Sequence, residues 1–269
     1  MSQQQVTDVH LTPSGLLRPG VRPRDNLLSG LRLLEASGIR PDVFLLTGDL
    51  ADAGDGPSYD DLAGILAEAV RGSGASVVYL PGNHDDRAAF RCHLDGGADD
   101  GPVNQTHWRD GLRIIALDST VPGEAHGALA DETLDYLRAE LETAAPDGTV
   151  VALHHPPVRS PIEPIAAIRL RDPERLRDAI AGSDVRIVVC GHNHHPALGT
   201  LGTVPVWIGP ATSYQPDITS TQVIRAVPDA AFSRIDLSGE DVMVTVIPVP
   251  VTATGEHRPA GQPASGPAR

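Results

Sequence analysis

Cysteine is scarce in this chain of 269 residues: Cys92 and Cys190 stand alone, too few for a disulfide framework. Cys190 ends an apolar run and reads as a small buried residue. Long hydrophobic stretches are missing too, and none approaches the roughly 20 residues of a membrane span. Positive charge is in deficit, 21 Lys and Arg against 35 Asp and Glu, for a net charge of −14. A surface built to bind nucleic acid or an anionic membrane needs a basic field, so neither partner is expected. Met1 to Gln5 (MSQQQ) has neither the basic n-region nor the apolar h-region of a signal peptide. A cytoplasmic location is the expectation. With 41% hydrophobic and 21% charged residues, the chain has globular composition and enough length for a sizeable core.

What the chain does contain is a recurring unit: a short apolar run that ends in a polar turn. Asp8 and His10 follow Gln3-Gln4-Gln5-Val6, and in extended backbone their side chains share one side. Residues 42–47 form a continuous apolar run, as in a strand covered on both faces, ending in Gly48-Asp49. Residues 76–80 lead into Gly82-Asn83-His84-Asp85, residues 149–153 into His154-His155-Pro156-Pro157, and residues 185–190 into Gly191-His192-Asn193-His194-His195. Residues 112–117 form a further buried strand. Helices are expected at 24–37, 58–71, 86–94 and 131–143, each of the long ones with a leucine-rich stripe at helical spacing. Asp172-Pro173 reads as an N-cap with proline at the first helical position. Alternation at 204–208, 232–237 and 242–249 predicts antiparallel strands. The loop Asp52 to Gly56 lacks the ligand spacing of an EF-hand. Strand–helix alternation without an internal linker predicts one α/β domain over residues 1–251, and the Gly- and Pro-rich stretch from Thr252 to 269 is expected to be a disordered tail.

Six of these polar residues, Asp8, Asp49, Asn83, His154, His192 and His194, lie just beyond predicted strands, with His10 beside the first. In an open α/β sheet such ends line one edge, where ligands bind. Two Asp, one Asn and four His make a mixed O/N set that suits Zn, Mn or Fe and suits Mg or Ca poorly. One carboxylate bridging two such ions would place them about 3.5 Å apart, the spacing used to activate water and clamp a phosphoryl group.

The ordered set D-x-H, G-D, G-N-H-D, H-H-P-P and G-H-x-H resembles the calcineurin-like metallophosphoesterase superfamily, with motifs covering residues 8–194. Gly82 to Arg87 (GNHDDR) and His154 to Pro157 are similar to the bacterial class III cyclic-nucleotide phosphodiesterases and the related glycerophosphodiesterases. Thr47 to Asp52 and Gly111 to Ile115 resemble the actinobacterial cyclic-nucleotide branch. The resemblance implies a four-layer α/β/β/α sandwich with two mixed sheets and the metals at their edge. It further implies that Asp8, His10, Asp49 and His194 hold one metal, and Asp49, Asn83, His154 and His192 the other, with iron or manganese expected and zinc an alternative. A hydroxide between the metals would attack phosphorus, and two dications would outweigh the two carboxylates to leave a positive pocket. His84 would protonate the leaving alkoxide or stabilise charge, and Asp85 is expected to orient it.

The implied activity is hydrolysis of a small phosphodiester, a cyclic nucleotide with 3′,5′-cyclic AMP favoured. A glycerophosphodiester or phosphomonoester hydrolase is the alternative, and a non-catalytic scaffold is disfavoured because no ligand is missing. A homodimer is compatible with the family. Substrate choice is expected in loops 12–23, 95–107, 120–128 and 210–220, where Tyr214 and His126 are candidates for contacting a base or sugar but read first as ordinary loop residues. Family members have an apolar strand before D-x-H, which here is replaced by three glutamines. Either this strand is short and polar, or the natural chain begins upstream of Met1. His195 is expected on the surface, with substrate contact as the alternative.

Overall fold

Each continuous apolar run serves two cores, one on either face. The computed structural model describes residues 1–95, 97 and 101–251, so the tail from Thr252 and part of the loop at 95–102 lie outside the described residues. In chain order the elements are β1 (Ser2–Val6), α1 (Pro23–Ala36), β2 (Val43–Thr47), α2 (Gly56–Ala69), β3 (Ser76–Leu80) and α3 (Arg87–Phe90), which continues as a π-helical turn (Arg91–Asp95). Next come β4 (Gln105–Arg109), β5 (Leu112–Leu117), α4 (Asp131–Leu141), β6 (Thr149–Leu153), α5 (Glu163–Ala166), α6 (Pro173–Ile180) and β7 (Val185–Cys190). The chain closes with β8 (Ala197–Leu201), β9 (Val204–Ile208), the short pair β10 (Gln215–Pro216) and β11 (Ala226–Val227), β12 (Ala230–Ser238) and β13 (Asp241–Val249).

Two mixed sheets result. One is five-stranded in the order β13-β12-β1-β2-β3, the other six-stranded in the order β4-β5-β6-β7-β9-β8. Side chains alternate along a strand, so Val43 and Leu45 of β2 pack inward against Ile114, Ala116, Val150, Ala152, Ile187 and Val189 of the second sheet. Their neighbours Phe44 and Leu46 pack outward under Leu27, Leu34, Leu62 and Leu66 of α1 and α2. On the far side, Ile115, Leu117, Val151, Leu153 and Val188 meet Leu134 and Leu137 of α4 and Leu176 and Ile180 of α6. Each fully buried Leu or Ile contributes roughly 1.5–3 kcal/mol. The layers are therefore α/β/β/α, and the C-terminal ends of β1, β2, β3, β6 and β7 come together along one edge.

β1 departs from the usual composition of a central strand. It runs parallel to β2 and antiparallel to β12, and Gln3, Gln4 and Gln5 are all buried. This strand is polar, and the amides of Gln4 and Gln5 do what apolar side chains could not, whereas both amide atoms of Gln3 are buried without a hydrogen-bond partner. Gln4 Nε2 donates to the Ser233 carbonyl (2.8 Å), while Gln5 Nε2 donates to Thr47 Oγ1 (2.9 Å) and to the Cys190 carbonyl (2.7 Å). Thr47 and Cys190 are the last residues of β2 and β7, so Gln5 pins the two sheets together at the edge where the polar turns begin.

Other expectations need amendment. β4 and β8 were not anticipated from sequence, because both are edge strands with little apolar alternation, Trp108 being the one large apolar residue of β4 and Leu198 and Leu201 those of β8. β9 pairs antiparallel with β8 but parallel with β7, so only one of its ladders is the antiparallel one expected. Asp172 precedes α6 in a left-handed conformation (φ 47°) and its side chain makes no cap bond; Pro173 alone starts that helix. Replacing Gln5 by Ala is expected to lower the unfolding free energy by about 1–3 kcal/mol, the cost of orphaning buried partners, seen as a lower urea midpoint. An unchanged midpoint would show that Gln5 does not tie the sheets.

Candidate metal centre

The backbone that leaves β1 runs beside the turn that leaves β2: Asp8 N donates to the Gly48 carbonyl (3.0 Å) and His10 N to the Asp49 carbonyl (2.9 Å). Links between the two sheets, and one within the second, close the edge. His192 N donates to both carboxylate oxygens of Asp8 (3.0 and 3.1 Å), Gly191 N to the His154 carbonyl (3.0 Å), and His154 Nδ1 to the Thr47 carbonyl (2.8 Å). The turns nest this closely because glycine carries no side chain. A Cβ on Gly82 would collide with Asp49, and one on Gly191 with Thr7 Oγ1 and Asp8. Among the described residues seven non-glycines have positive φ, and five of them are Asp8, His10, Asp49, His192 and His194. Each such residue costs of order 1 kcal/mol or more, a strain that accumulates at functional sites.

The strain sets the side chains facing one another. His10 Nε2 lies 3.2 Å from His194 Nε2 and 3.5 Å from Asp49 Oδ2, and His194 Nε2 lies 3.5 Å from Asp8 Oδ1. His10 Nδ1 donates to Asp52 Oδ1 (3.0 Å) and His194 Nδ1 to the Tyr214 carbonyl (3.0 Å). With both Nδ1 positions engaged as donors, the two Nε2 atoms face each other and two carboxylates; burial opposes charge on His10, but Asp52, Asp49 and Asp8 raise its pKa, so a proton can bridge the pair where no cation does. A second group adjoins the first: His154 Nε2 is 3.2 Å from His192 Nδ1 and 3.4 Å from the same Asp49 Oδ2. Asn83 Oδ1, expected beside them, is buried without a hydrogen-bond partner. Converging acceptors and an orphaned amide oxygen fit cations. Asp49 is common to both groups, and its other oxygen accepts from His84 N (2.9 Å).

Electrostatics tell the same story. Burial pushes the Asp8 carboxyl upward, with the nearby Asp49 adding to the rise. For Asp49, burial also opposes charge, but His154, then His10 and His84, outweigh it and hold this carboxyl well below the usual range. Burial and the adjacent His154 depress His192 to about 3. Burial and His10 depress His194 well below the ordinary imidazole value. Burial works against protonation of His154 as well, yet Asp49, Asp8 and the Thr47 carbonyl raise it to about 9.

Three comparisons now bear on this geometry. The model of the calcineurin-like phosphoesterase family matches residues 5–196. The chain belongs to the calcineurin-like phosphoesterase family. It is 38% identical over 261 residues to a "Probable cyclic nucleotide phosphodiesterase" of Rhodococcus erythropolis, covering 96% of this chain and 85% of that one. It is 40% identical over 216 residues to a cAMP/cGMP dual specificity phosphodiesterase of Mycobacterium tuberculosis, covering 80% and 68%. Among solved structures it resembles a dimetal phosphatase from Danio rerio, with a TM-score of 0.63 at 14% identity over 93% of this chain and 99% of that one. That likeness shows the fold.

Within this phosphoesterase edge, His84 stands outside the two groups. It is 42% exposed at its side chain, sits edge-on to His10 with ring centroids 4.6 Å apart, and donates from Nδ1 to the Asp52 carbonyl (2.8 Å). The orienting residue is therefore Asp52, whose carboxylate also holds His10. Asp85 does not orient His84. Its carboxylate accepts from Gly82 N, Leu50 N, Ala51 N and the Tyr59 hydroxyl, which locks the turn after β2 to the turn after β3. Asp52 was missed because one of two acids in a Gly-rich loop has no distinguishing signal; its offset from Asp49 by three residues was the available clue. His195, expected on the surface, is 4% exposed, with Nε2 3.4 Å from Ser160 Oγ. His155 is buried, bonded through Nδ1 to Ser119 Oγ (2.8 Å), and packs against His192 with centroids 4.6 Å apart. His126 lies 3.6 Å from Glu124. A cavity of about 530 Å³ opens beside Asn83, Arg87 and Thr120. A larger one, about 780 Å³, lies between α1 and α2 on the outer face and touches none of these residues.

At pH 7 metal uptake must displace the proton that His154 holds with a pKa of about 9. Affinity should therefore rise by at least about tenfold per pH unit between pH 6 and 8, more where Asp8, raised to about 6, and His10, raised above the ordinary imidazole value, also lose protons, with proton release measurable by calorimetry in buffers of different ionisation enthalpy. Affinity independent of pH over that window would contradict the protonation assigned to His154.

Proposed function

We propose that this chain is a dinuclear metal-dependent phosphodiesterase that hydrolyses cyclic nucleotides, 3′,5′-cyclic AMP first among them. The observation that carries the reading is the pair of acceptor groups sharing Asp49, with one exposed imidazole, His84, standing over them. Asp8, His10, Asp49 and His194 would hold one cation, and Asp49, Asn83, His154 and His192 the other. When bound, the cations supply an activated water and neutralise charge on the phosphate oxygens. Iron or manganese suits the mixed O/N donors, with zinc as the alternative.

The remaining steps belong to the protein. Asp8 and Asp49 fix the donor positions, because backbone N–H groups of His192 and His84 hold one carboxylate each. Asp52 sets the His10 tautomer so that Nε2 faces inward. The Asp52 carbonyl engages His84 at Nδ1, so Nε2 faces the departing 3′ oxygen and delivers a proton to it when the ring enters the step as imidazolium, leaving the neutral Nδ1–H tautomer. Asp85 supports this chemistry at one remove, by holding Asn83 and Asp49 in register. The dual specificity relative in Mycobacterium tuberculosis, 40% identical over 216 residues, supports a cyclic nucleotide as substrate.

Replacing His84 by Ala is expected to lower kcat by about 10²–10⁴-fold without loss of bound metal. Replacing Asn83 by Ala should lower both activity and metal content, measured on the same samples by metal analysis. Turnover of 3′,5′-cyclic AMP, 2′,3′-cyclic AMP, glycerophosphocholine and a nitrophenyl diester separates the substrate readings. Fastest turnover of glycerophosphocholine would favour the glycerophosphodiesterase alternative, and full activity after chelation would exclude metal-dependent chemistry.

A further inference from the structure

Metal-bound phosphate recognition leaves the rest of a nucleotide unread, and one pair of side chains beside the site is built to read it. Tyr214 follows β9 in the loop 210–220. Its carbonyl holds His194, and its ring lies 4.5 Å from the His194 ring and 6.3 Å from that of His10. Another side of the Tyr214 ring carries the guanidinium of Arg18, whose central carbon is 3.8 Å from the ring centroid. Arg18 comes from the loop 12–23 and is exposed. The loop is closed there by a tight turn, with Val21 N donating to the Arg18 carbonyl (2.9 Å) and Leu17 N to the Val21 carbonyl (3.1 Å). The result is a tier: metal-edge imidazole, tyrosine ring, guanidinium, then solvent.

The other cations near the site are already engaged. Arg87 lies 2.9 Å from Asp118 and donates to Thr120, and Arg91 bonds Asp95 and the carbonyls of Gly101 and Pro102. The cavity they line beside Asn83 has no aromatic wall. Arg18, in contrast, is held by the Tyr214 side chain, over whose ring it lies and to which it hydrogen-bonds, and its charge also acts on Asp52 without a close ion pair. Its planar, weakly hydrated group stacks on one aromatic face and leaves its outer face open. The Tyr214 ring lies between it and His194, which sets the guanidinium at the rim of the site.

We propose that Arg18, stacked on Tyr214, is the platform on which the purine base of the nucleotide lies, and so a specificity-determining residue of this site. The proposal rests on the cyclic-nucleotide reading above. Base stacking on such platforms is worth roughly tenfold or more in affinity per base, and a lysine, which has charge but no planar face, does not replace it.

The test is calorimetric binding of AMP and of ribose 5-phosphate to the metal-loaded protein, comparing the wild type with Arg18→Ala and Arg18→Lys. The wild type is expected to bind AMP about tenfold or more tightly than ribose 5-phosphate. Both variants should reduce that gap to about twofold, with the loss falling on AMP. Equal weakening of both ligands by Arg18→Ala would assign Arg18 to the phosphate and overturn the platform, as would AMP affinity that Arg18→Lys restores or that neither variant changes. Wild-type turnover of 3′,5′-cyclic AMP, measured alongside, separates the two levels. Turnover with an unaltered AMP preference in the variants sinks the platform alone, whereas no turnover and no AMP preference in the wild type sinks the cyclic-nucleotide reading with it.

Discussion

Two imidazole nitrogens 3.2 Å apart, each with its partner nitrogen already donating elsewhere, set the constraint on which this structure depends. Lone pairs held at that separation repel unless a proton or a metal cation sits between them, and the chain does a great deal to keep them there. Five residues at the edge adopt left-handed backbone that only glycine takes without strain. Side-chain-free positions at Gly82 and Gly191 let neighbouring turns approach. Gln5 ties the ends of β2 and β7. The two apolar layers on the outer faces and the one between the sheets supply the rigidity against which that strain is held. Metal binding would then release part of what folding stores, so fold and centre stabilise each other.

Much of the centre was legible because its chemistry demands particular residue types at strand ends. Asp8, His10, Asp49, His154, His192 and His194 are all placed along one edge, and the four-layer fold agrees with the resemblance drawn from their order. The strands that carried them were readable as continuous apolar runs, since a strand covered on both faces has no polar side to disguise it. β1 was the exception. Its burial depends on hydrogen bonds to residues 42, 185 and 229 positions away in sequence, and no local pattern reports partners so distant. β4 and β8 escaped for a related reason, since an edge strand pairs on one side and needs little apolar patterning.

The residues around the centre were less readable than the centre itself. Asp85 looked like a partner for His84 because it is adjacent in sequence, but a tight turn sends adjacent side chains in different directions, and its carboxylate is filled by three backbone N–H groups and a tyrosine. Asp52 took that place from a different turn. His195 is buried because the strand after it, β8, folds back along β9 and draws the turn inward. Tyr214 read as an ordinary loop residue, yet its carbonyl orients His194 and its ring carries Arg18. Such positions depend on which loops meet, and that follows from topology more than from local sequence.

The most direct measurement is anomalous diffraction from crystals grown with manganese, for the wild type and for Asp49→Asn. Two peaks on either side of Asp49 in the wild type are expected, with His10 and His194 around one and His154 and His192 around the other, and reduced occupancy of both in the variant. A single peak, or two peaks unaffected by loss of the shared carboxylate, would contradict a dinuclear centre organised by Asp49.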